Sequence, residues 1–481
     1  MPEKLVYRGL YLILGVQCIF FLYLVFRIPF HYDESWSYMY FSGRGFQTTA
    51  TFYPLPNNHI LYNLVATIFV KPGIDPEIGT RLPSYFASFI ATYYFFKLSY
   101  THFAGPITLV MTALFASAYP FVLYSIEARG YSFLILFTVL SFYAADHLAK
   151  DATLRRYRYL YWISLVAGLY SMPSFIYTAL VISGTLGLYF ISKRQWSSFR
   201  LLVIDHAKAG LVAVLLYVPV VHANGIQKFT HPDGFSKLTM TQLAQALPHT
   251  LPATLHFLTG IDKAPLFTII ICIPAGILYN LFCERKTMFL AVVSAVMLVS
   301  PPVILLANPI LPYPRTWSYL VVPLALCVGY LISLLTWYLR TALKNWSWPA
   351  VGMVVVIMLA CYTNFLKRHM ENYAIDYTIR AAFKNMGPRI AAVSSIGYTG
   401  ESLEYYVAED LQFQCMKRDP DKPLKMDKKE TFTRTEDILI LAPDSIKNFR
   451  LDQYILMGTD SVHYFLFART SLSGRRVPDE R

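Results

Sequence analysis

Two adjacent carboxylates, Asp33 and Glu34, sit in the run His31-Tyr32-Asp33-Glu34-Ser35-Trp36, a few residues after the first long apolar stretch ends. The same polar interval continues to Tyr53-Pro54-Leu55-Pro56-Asn57-Asn58-His59, and Arg81-Leu82-Pro83-Ser84 follows it. Two further polar clusters interrupt apolar sequence: Ser125-Ile126-Glu127-Ala128-Arg129-Gly130-Tyr131 and Pro312-Tyr313-Pro314-Arg315-Thr316-Trp317. A carboxylate takes the proton of an attacking hydroxyl. Guanidinium groups hold phosphate oxygens and stabilise charge that develops on a leaving group. Aromatic rings stack on sugar faces. Together these residue types suit displacement at the anomeric carbon of a lipid-linked phosphosugar, with Asp33 and Glu34 at the reacting centre and His59, Arg81, Glu127, Arg129, Tyr131 and Arg315 contacting substrate.

The elements that must position these residues are membrane spans. The chain has 481 residues, of which 55% are hydrophobic and 15% charged, against about 25% charged in an ordinary soluble domain. A net charge of +13 raises nucleic acid as a partner. That reading is rejected, because Lys and Arg concentrate in short loops between apolar runs, which is a topology signal. About 20 apolar residues cross a hydrocarbon core. On that criterion eleven spans are expected, at 7–27, 80–99, 106–124, 131–148, 158–172, 174–192, 208–222, 265–282, 288–307, 316–338 and 348–366. The first is too long for a cleaved leader and no small-residue cleavage site follows it, so it is expected to stay in the membrane. With the N-terminus inside, loops carrying Lys150, Arg155, Arg156, Lys193 and Arg194 fall inside. The loops 28–79 and 223–264 and all three polar clusters then fall outside. Asp33–Ser42 and Asn58–Val70 read as helices lying along the interface.

From Lys367 charges of both signs become frequent and long apolar runs stop. β-rich runs at Ile390–Ser394, Leu411–Met416, Ile438–Leu441 and Val462–Phe467, with a helix-like stretch at Gly400–Glu409, predict a small α/β domain. Lys422–Lys429 reads as a solvated loop. The expected fold is therefore an all-α polytopic membrane domain over 1–366, followed by a small extracytoplasmic α/β domain over 367–481. The six cysteines are scattered, without metal or disulfide spacing.

An acid-Glu pair after the first span resembles the C-type glycosyltransferase superfamily when three further motifs follow it in order. These are Pro-x-x-His-x-Leu-Tyr (Pro56 to Tyr62), Arg-Leu-Pro-Ser and Glu-Ala-Arg-x-Tyr. The likeness is to bacterial relatives of protein O-mannosyltransferases and of the lipid A aminoarabinose transferase. It covers the first 140 residues or so well and is looser around Arg315-Thr316-Trp317, where the family often has Arg-Tyr. The resemblance implies eleven to thirteen spans, a polyprenyl-phosphate sugar donor, inversion at the anomeric carbon, and Asp33 as catalytic base with Glu34 beside it. It also implies an acceptor that is protein, lipid or polysaccharide, and a bacterial inner-membrane location with the site facing out. Some members use a divalent cation held by carboxylates, for which Asp33, Glu34 and Glu127 are the available donors. Loop one lacks Asp-x-Asp, so no metal or other cofactor is expected.

Plainer readings stand beside these. Asp33 is a preferred residue for capping a helix N-terminus. Glu127 and Arg129 could form a surface ion pair, and Arg81, Arg129 and Arg315 could anchor at headgroup depth. A transporter or flippase for a lipid-linked or anionic solute is the alternative function. It predicts internal repeats, broken helices and charges at the bilayer midplane. A membrane scaffold would leave the gathered outer-face charges unexplained. The transferase reading requires acids and guanidinium groups that are distant in sequence to meet in one cavity.

Overall fold

The structure is a computed structural model. It describes residues 2–54, 57–70, 74–227, 237–260, 267–282, 287–338, 347–373, 377 and 380, and five strands between 393 and 469. By packing, the chain divides into two units: Met1–Val25 with Phe41–Thr363, and Phe26–Tyr40 with Asn364–Arg481.

Every one of the eleven apolar runs is helical among the described residues. Six helices are long and apolar enough to cross a membrane: Glu3–Arg27, Tyr131–Lys150, Phe175–Ser192, Trp196–Asn224, Met288–Ala307 and Pro314–Tyr338. A seventh is added if the bent pair Gly105–Ser117 and Tyr119–Ile126 counts as one span. Two of the other runs differ in composition. Arg155–Ser171 has 17 residues and three arginines near its start. Leu82–Tyr100 is rich in tyrosine and serine. The expected break at Ser171-Met172-Pro173-Ser174 is present, with helices ending at Ser171 and restarting at Phe175.

We number the helices of the first unit that matter for the site. Helix α1 is Glu3–Arg27, which ends in the second unit; α4 is Ile60–Val70, α6 Leu82–Tyr100, α7 Gly105–Ser117, α8 Tyr119–Ile126 and α9 Tyr131–Lys150. Between α4 and α6 lies the short helix α5, Pro76–Gly79. Helices are present where Asp33–Ser42 and Asn58–Val70 were expected: α4, and in the second unit α2, Tyr32–Tyr40, with α3 (Phe46–Thr51) between them in sequence. After α9 come α10 (Arg155–Ser171), α11 (Phe175–Ser192) and α12 (Trp196–Asn224).

The bend of 56° between α7 and α8 has an identifiable origin. Ala118 is extended, at φ −61° and ψ 136°, and Pro120 has no amide hydrogen to give the Ala116 carbonyl. That carbonyl instead accepts the Tyr362 hydroxyl at 3.3 Å. Tyr362 is fixed in turn by stacking on Phe20, with centroids 4.1 Å apart. The last long helix of the unit thus completes a hydrogen bond that proline removes from the third apolar run, and α8 is aimed away from the axis of α7.

The first polar loop is pinned by asparagines. Asn58 donates to the carbonyls of Thr49 and Phe52, both at 2.9 Å, and accepts from Asn63 at 3.0 Å. At the end of α12, Asn224 accepts the Tyr53 amide at 3.0 Å and donates to the Thr51 carbonyl. Tyr53, Ile60, Tyr170 and Val220 form an apolar cluster behind these bonds, and burial pushes the Tyr53 hydroxyl pKa well up. The loop is therefore built like an interior, with its backbone groups paired.

In the second unit five strands make a sheet of order β2-β1-β3-β5-β4. They are β1 Val393–Ile396, β2 Met426–Asp427, β3 Ile438–Leu441, β4 Tyr454–Asp460 and β5 Tyr464–Arg469. Strand β1 runs parallel to β2 and β3, whereas β5 is antiparallel to β3 and β4. The expected strand Ile438–Leu441 is present with the same bounds. The expected runs at Ile390–Ser394 and Val462–Phe467 overlap β1 and β5. Strand β4 was not anticipated, because Gly458 and the polar Thr459 and Asp460 blur its apolar pattern; a register irregularity falls between Leu456 and Gly458. Strand β2 lies inside Lys422–Lys429, which charge alone presented as a solvated loop. Gly400–Glu409 and Leu411–Met416 lie outside the described residues.

Asn224→Ala removes both the acceptor for Tyr53 and a donor to the loop. It is expected to cost about 1–3 kcal/mol and to speed amide exchange of residues 52–60 in nanodiscs while exchange in α9 is unchanged. Equal protection of the loop in variant and parent would show that α12 does not hold it.

Candidate active site

The first unit brings five of the predicted residues together at one end of the bundle. Its junction is a cluster of hydroxyls. Ser84, in the first turn of α6, places its hydroxyl 2.6 Å from the Glu127 carbonyl, 3.0 Å from the Tyr62 hydroxyl and 3.0 Å from the Ser132 hydroxyl. The Tyr62 hydroxyl donates to the Thr80 carbonyl at 2.6 Å, and Ser132 donates to the Arg129 carbonyl at 3.2 Å. One buried knot therefore joins α4, the turn before α6, and the turn from Glu127 to Gly130 that opens α9. In such a low-dielectric site each bond is stronger than in water, and a missing partner is correspondingly expensive.

The turn is also clamped from the other side. A Cβ at Gly130 would lie 2.6 Å from His59 Cβ, so only glycine lets His59 come this close. The His59 ring lies 5.2 Å from the Tyr131 ring, which stacks on Tyr124 at 4.3 Å. Glu127 is an extended C-cap of α8, and its carbonyl also accepts the Arg129 amide at 2.8 Å. The backbone thereby turns back within three residues and presents Glu127, Arg129 and Tyr131 from one short segment.

Both arginines of the cluster are deeply buried: Arg81 is 0% exposed and Arg129 2%. Arg81 precedes α6, and its Nη1 donates to the Val25 carbonyl at 3.1 Å. Val25 belongs to the last turn of α1, where carbonyls lack helical partners. Part of the Arg81 guanidinium thus ties α1 to α6. Glu127 and His59 are likewise buried. Headgroup anchors keep their charged tips in water, so burial of this depth argues against simple snorkelling for Arg81 and Arg129. Arg315 stands apart in character. It is half-buried on the 3-10 stretch Pro314–Leu320, with its guanidinium carbon 4.8 Å above the Tyr313 ring.

The two carboxylates of the first loop belong to the second unit. The Glu34 side chain accepts the His31 amide at 3.0 Å, which is one half of a capping box at the start of α2. Glu34 is 0% exposed. Asp33 is therefore not the capping residue of this helix: it stands inside the first turn, half-buried, with its carbonyl accepting the Ser37 hydroxyl at 2.9 Å. A carboxylate there is favoured by the positive end of the helix dipole. His31 packs edge-on against Tyr373 at 4.4 Å, Tyr373 lies 4.5 Å from His369, and Tyr377 hydrogen-bonds His369 at 3.3 Å. Arg380 donates to the carbonyls of Phe26 and Arg27 at the end of α1. The partners of the acid-bearing helix come from residues far along the chain, which no local pattern could announce.

Among the described residues no group of three or more His, Cys, Asp or Glu is placed to hold a metal ion. Sequence reasoning missed Ser132, whose hydroxyl is ordinary in isolation; Tyr62 and Ser84 were visible only as the last residues of their motifs. Gly130→Ala is expected to destabilise by about 1–3 kcal/mol through overpacking. Adding His59→Gly should recover part of that loss in thermal unfolding, and strictly additive losses would show that the contact is not the cause.

No family model and no curated protein sequence matches the chain. Solved structures do. The crystal structure of ArnT from Cupriavidus metallidurans bound to undecaprenyl phosphate is similar with a TM-score of 0.59 and 12% identity, over 99% of this chain and 100% of that one. The apo crystal structure of the same protein gives 0.59 and 11%, over 97% and 99%. The archaeal oligosaccharyltransferase AglB from Archaeoglobus fulgidus, in complex with an inhibitory peptide and a dolichol-phosphate, is more distant at a TM-score of 0.44 and 11% identity, over 90% and 70%. Across nearly its whole length this chain shares the fold of the ArnT structures.

Proposed function

We propose that the chain is a membrane glycosyltransferase that takes a sugar from a polyprenyl-phosphate donor and places it on an acceptor hydroxyl, with inversion. The observation that carries this reading is the burial of Arg81 and Arg129 beside Glu127 and His59, in a turn locked by the Ser84 knot. Guanidinium groups bind phosphate oxygens through charge-assisted hydrogen bonds, and a lipid phosphate at headgroup depth is a ligand of that kind. The full-length likeness to a protein solved with undecaprenyl phosphate supports the choice of carrier.

In this reaction Asp33 takes the proton of the acceptor oxygen as that oxygen attacks the anomeric carbon. The bond to the phosphate oxygen breaks, and the lipid phosphate leaves with the electron pair. Arg129, with Arg81 or Arg315, stabilises the charge on the leaving phosphate. His59, Glu127 and Tyr131 shape the sugar pocket. Glu34 keeps the first turn of α2 in place beneath Asp33. The finer architecture belongs to the same proposal: eleven spans, a small α/β domain built on the five-stranded sheet, N-terminus inside, and a bacterial inner membrane with the site outside.

One observation favours the second reading, a transporter or flippase: the broken span at Ala118, since discontinuous helices mark many transporter sites. Purified protein in nanodiscs with labelled polyprenyl-phosphate sugars separates the two. Asp33→Asn should lower transfer by about 10²–10⁴-fold and leave donor binding intact. Arg129→Gln should weaken donor binding by about tenfold or more, the loss of a charge-assisted hydrogen bond worth roughly 1.5–3 kcal/mol. Normal transfer by Asp33→Asn would remove the base assignment. Donor moved across liposomes unconsumed would establish transport.

A further inference from the structure

At the far end of α9 from Tyr131 lies a second feature, unrelated to the transfer chemistry. Lys150 ends that helix, roughly 28 Å along the axis from Tyr131 at 1.5 Å per residue, close to the thickness of a hydrocarbon core of about 30 Å. Lys193 caps α11 at the same end. Between these helices and the helix Met288–Ala307 is a cavity of about 660 Å³. Its walls are largely apolar, with Leu180, Leu188 and Val292 among them, and Lys150 and Lys193 at its mouth. Leu180 and Leu188 are more than 60% exposed, which places apolar surface where a bilayer would cover it.

The one carboxylate in the wall is Asp146, and its charge is already answered. Its Oδ2 lies 2.9 Å from His102 Nε2 and 2.7 Å from Lys150 Nζ, with both His102 and Asp146 buried. This bond uses one of the three protons of the Lys150 ammonium. Lys193 makes no side-chain ion pair among the described residues, and its residue is exposed. Two cations at the rim of an apolar crevice, one bilayer thickness from the site, match an amphiphile with an anionic head and a hydrocarbon tail. From Lys193 to Leu180 the crevice runs roughly 20 Å along α11, enough for much of an acyl chain.

We infer that the cavity between α9, α11 and the helix Met288–Ala307 binds an anionic phospholipid, whose phosphate pairs with Lys150 and Lys193 and whose acyl chain lies along Leu180, Leu188 and Val292. The inference rests on the chain crossing a membrane and not on the transferase reading. Each lysine near an anionic headgroup is worth about fivefold in binding.

Full-length protein is stripped of lipid in detergent, and binding is read by native mass spectrometry with phosphatidylglycerol, phosphatidylcholine, diacylglycerol and inorganic phosphate as separate probes. Phosphatidylglycerol should bind most tightly. Lys193→Gln should weaken it about fivefold and Lys150→Gln/Lys193→Gln further. Val292→Trp, which fills the crevice, should abolish it, and Lys97→Gln should leave it unchanged. Lys193→Gln keeps the test readable should loss of the Lys150–Asp146 pair unfold the double variant. Equal binding of phosphatidylglycerol and diacylglycerol would overturn the proposal, as would occupancy by inorganic phosphate alone at similar concentration. Unchanged phosphatidylglycerol affinity in both Lys193→Gln and Val292→Trp would do the same.

Discussion

The Ser84 hydroxyl is the point at which the buried polar groups of the first unit are joined. Within 3.0 Å of it are a tyrosine hydroxyl from α4, a serine hydroxyl from α9 and the Glu127 carbonyl. No covalent link joins these segments, and all three lie where water is scarce. A hydroxyl that both donates and accepts is the smallest group able to serve several partners at once. Around it two buried guanidinium groups, a buried carboxylate and an imidazole hold positions that would be costly if each had to be stabilised alone. The knot converts separate helix ends into one rigid platform, which is what positioned charge requires.

The structure places a division of labour on residues that look alike in sequence. Of the two adjacent acids, Glu34 is committed to the His31 amide, whereas Asp33 is set within the turn. A preference for aspartate at N-caps made Asp33 the natural capping residue on paper; the backbone begins the helix two residues too early for that. The three arginines separate in the same way. Arg81 and Arg129 are interior groups, and Arg315 is a partly exposed group riding on a tyrosine. The departure from Arg-Tyr at Arg315-Thr316 marked that difference in advance.

Long apolar runs and the polar intervals between them were legible because hydropathy is a local property, and the helices fall where those runs fall. Helix ends α2 and α4 were legible for the same reason. What sequence did not show depends on contacts between distant positions. Asn224 holding the first loop, Tyr62 and Ser132 meeting Ser84, and Tyr373 lying against His31 are each separated by many residues from their partners. Polar side chains of this kind carry no period and little composition signal. The mixed sheet was half legible: β3 is a clean apolar run, while β2 is two residues inside a basic stretch and is defined by pairing alone.

The proline-made gap at Ala116 has a consequence for biogenesis. Its carbonyl is answered by a hydroxyl 246 residues downstream. While the ribosome is still producing the middle of the chain, the kinked span must rest with that oxygen unanswered or borrow a lipid or water partner. A chain truncated before Tyr362 would therefore carry the bent span without the bond that closes its gap.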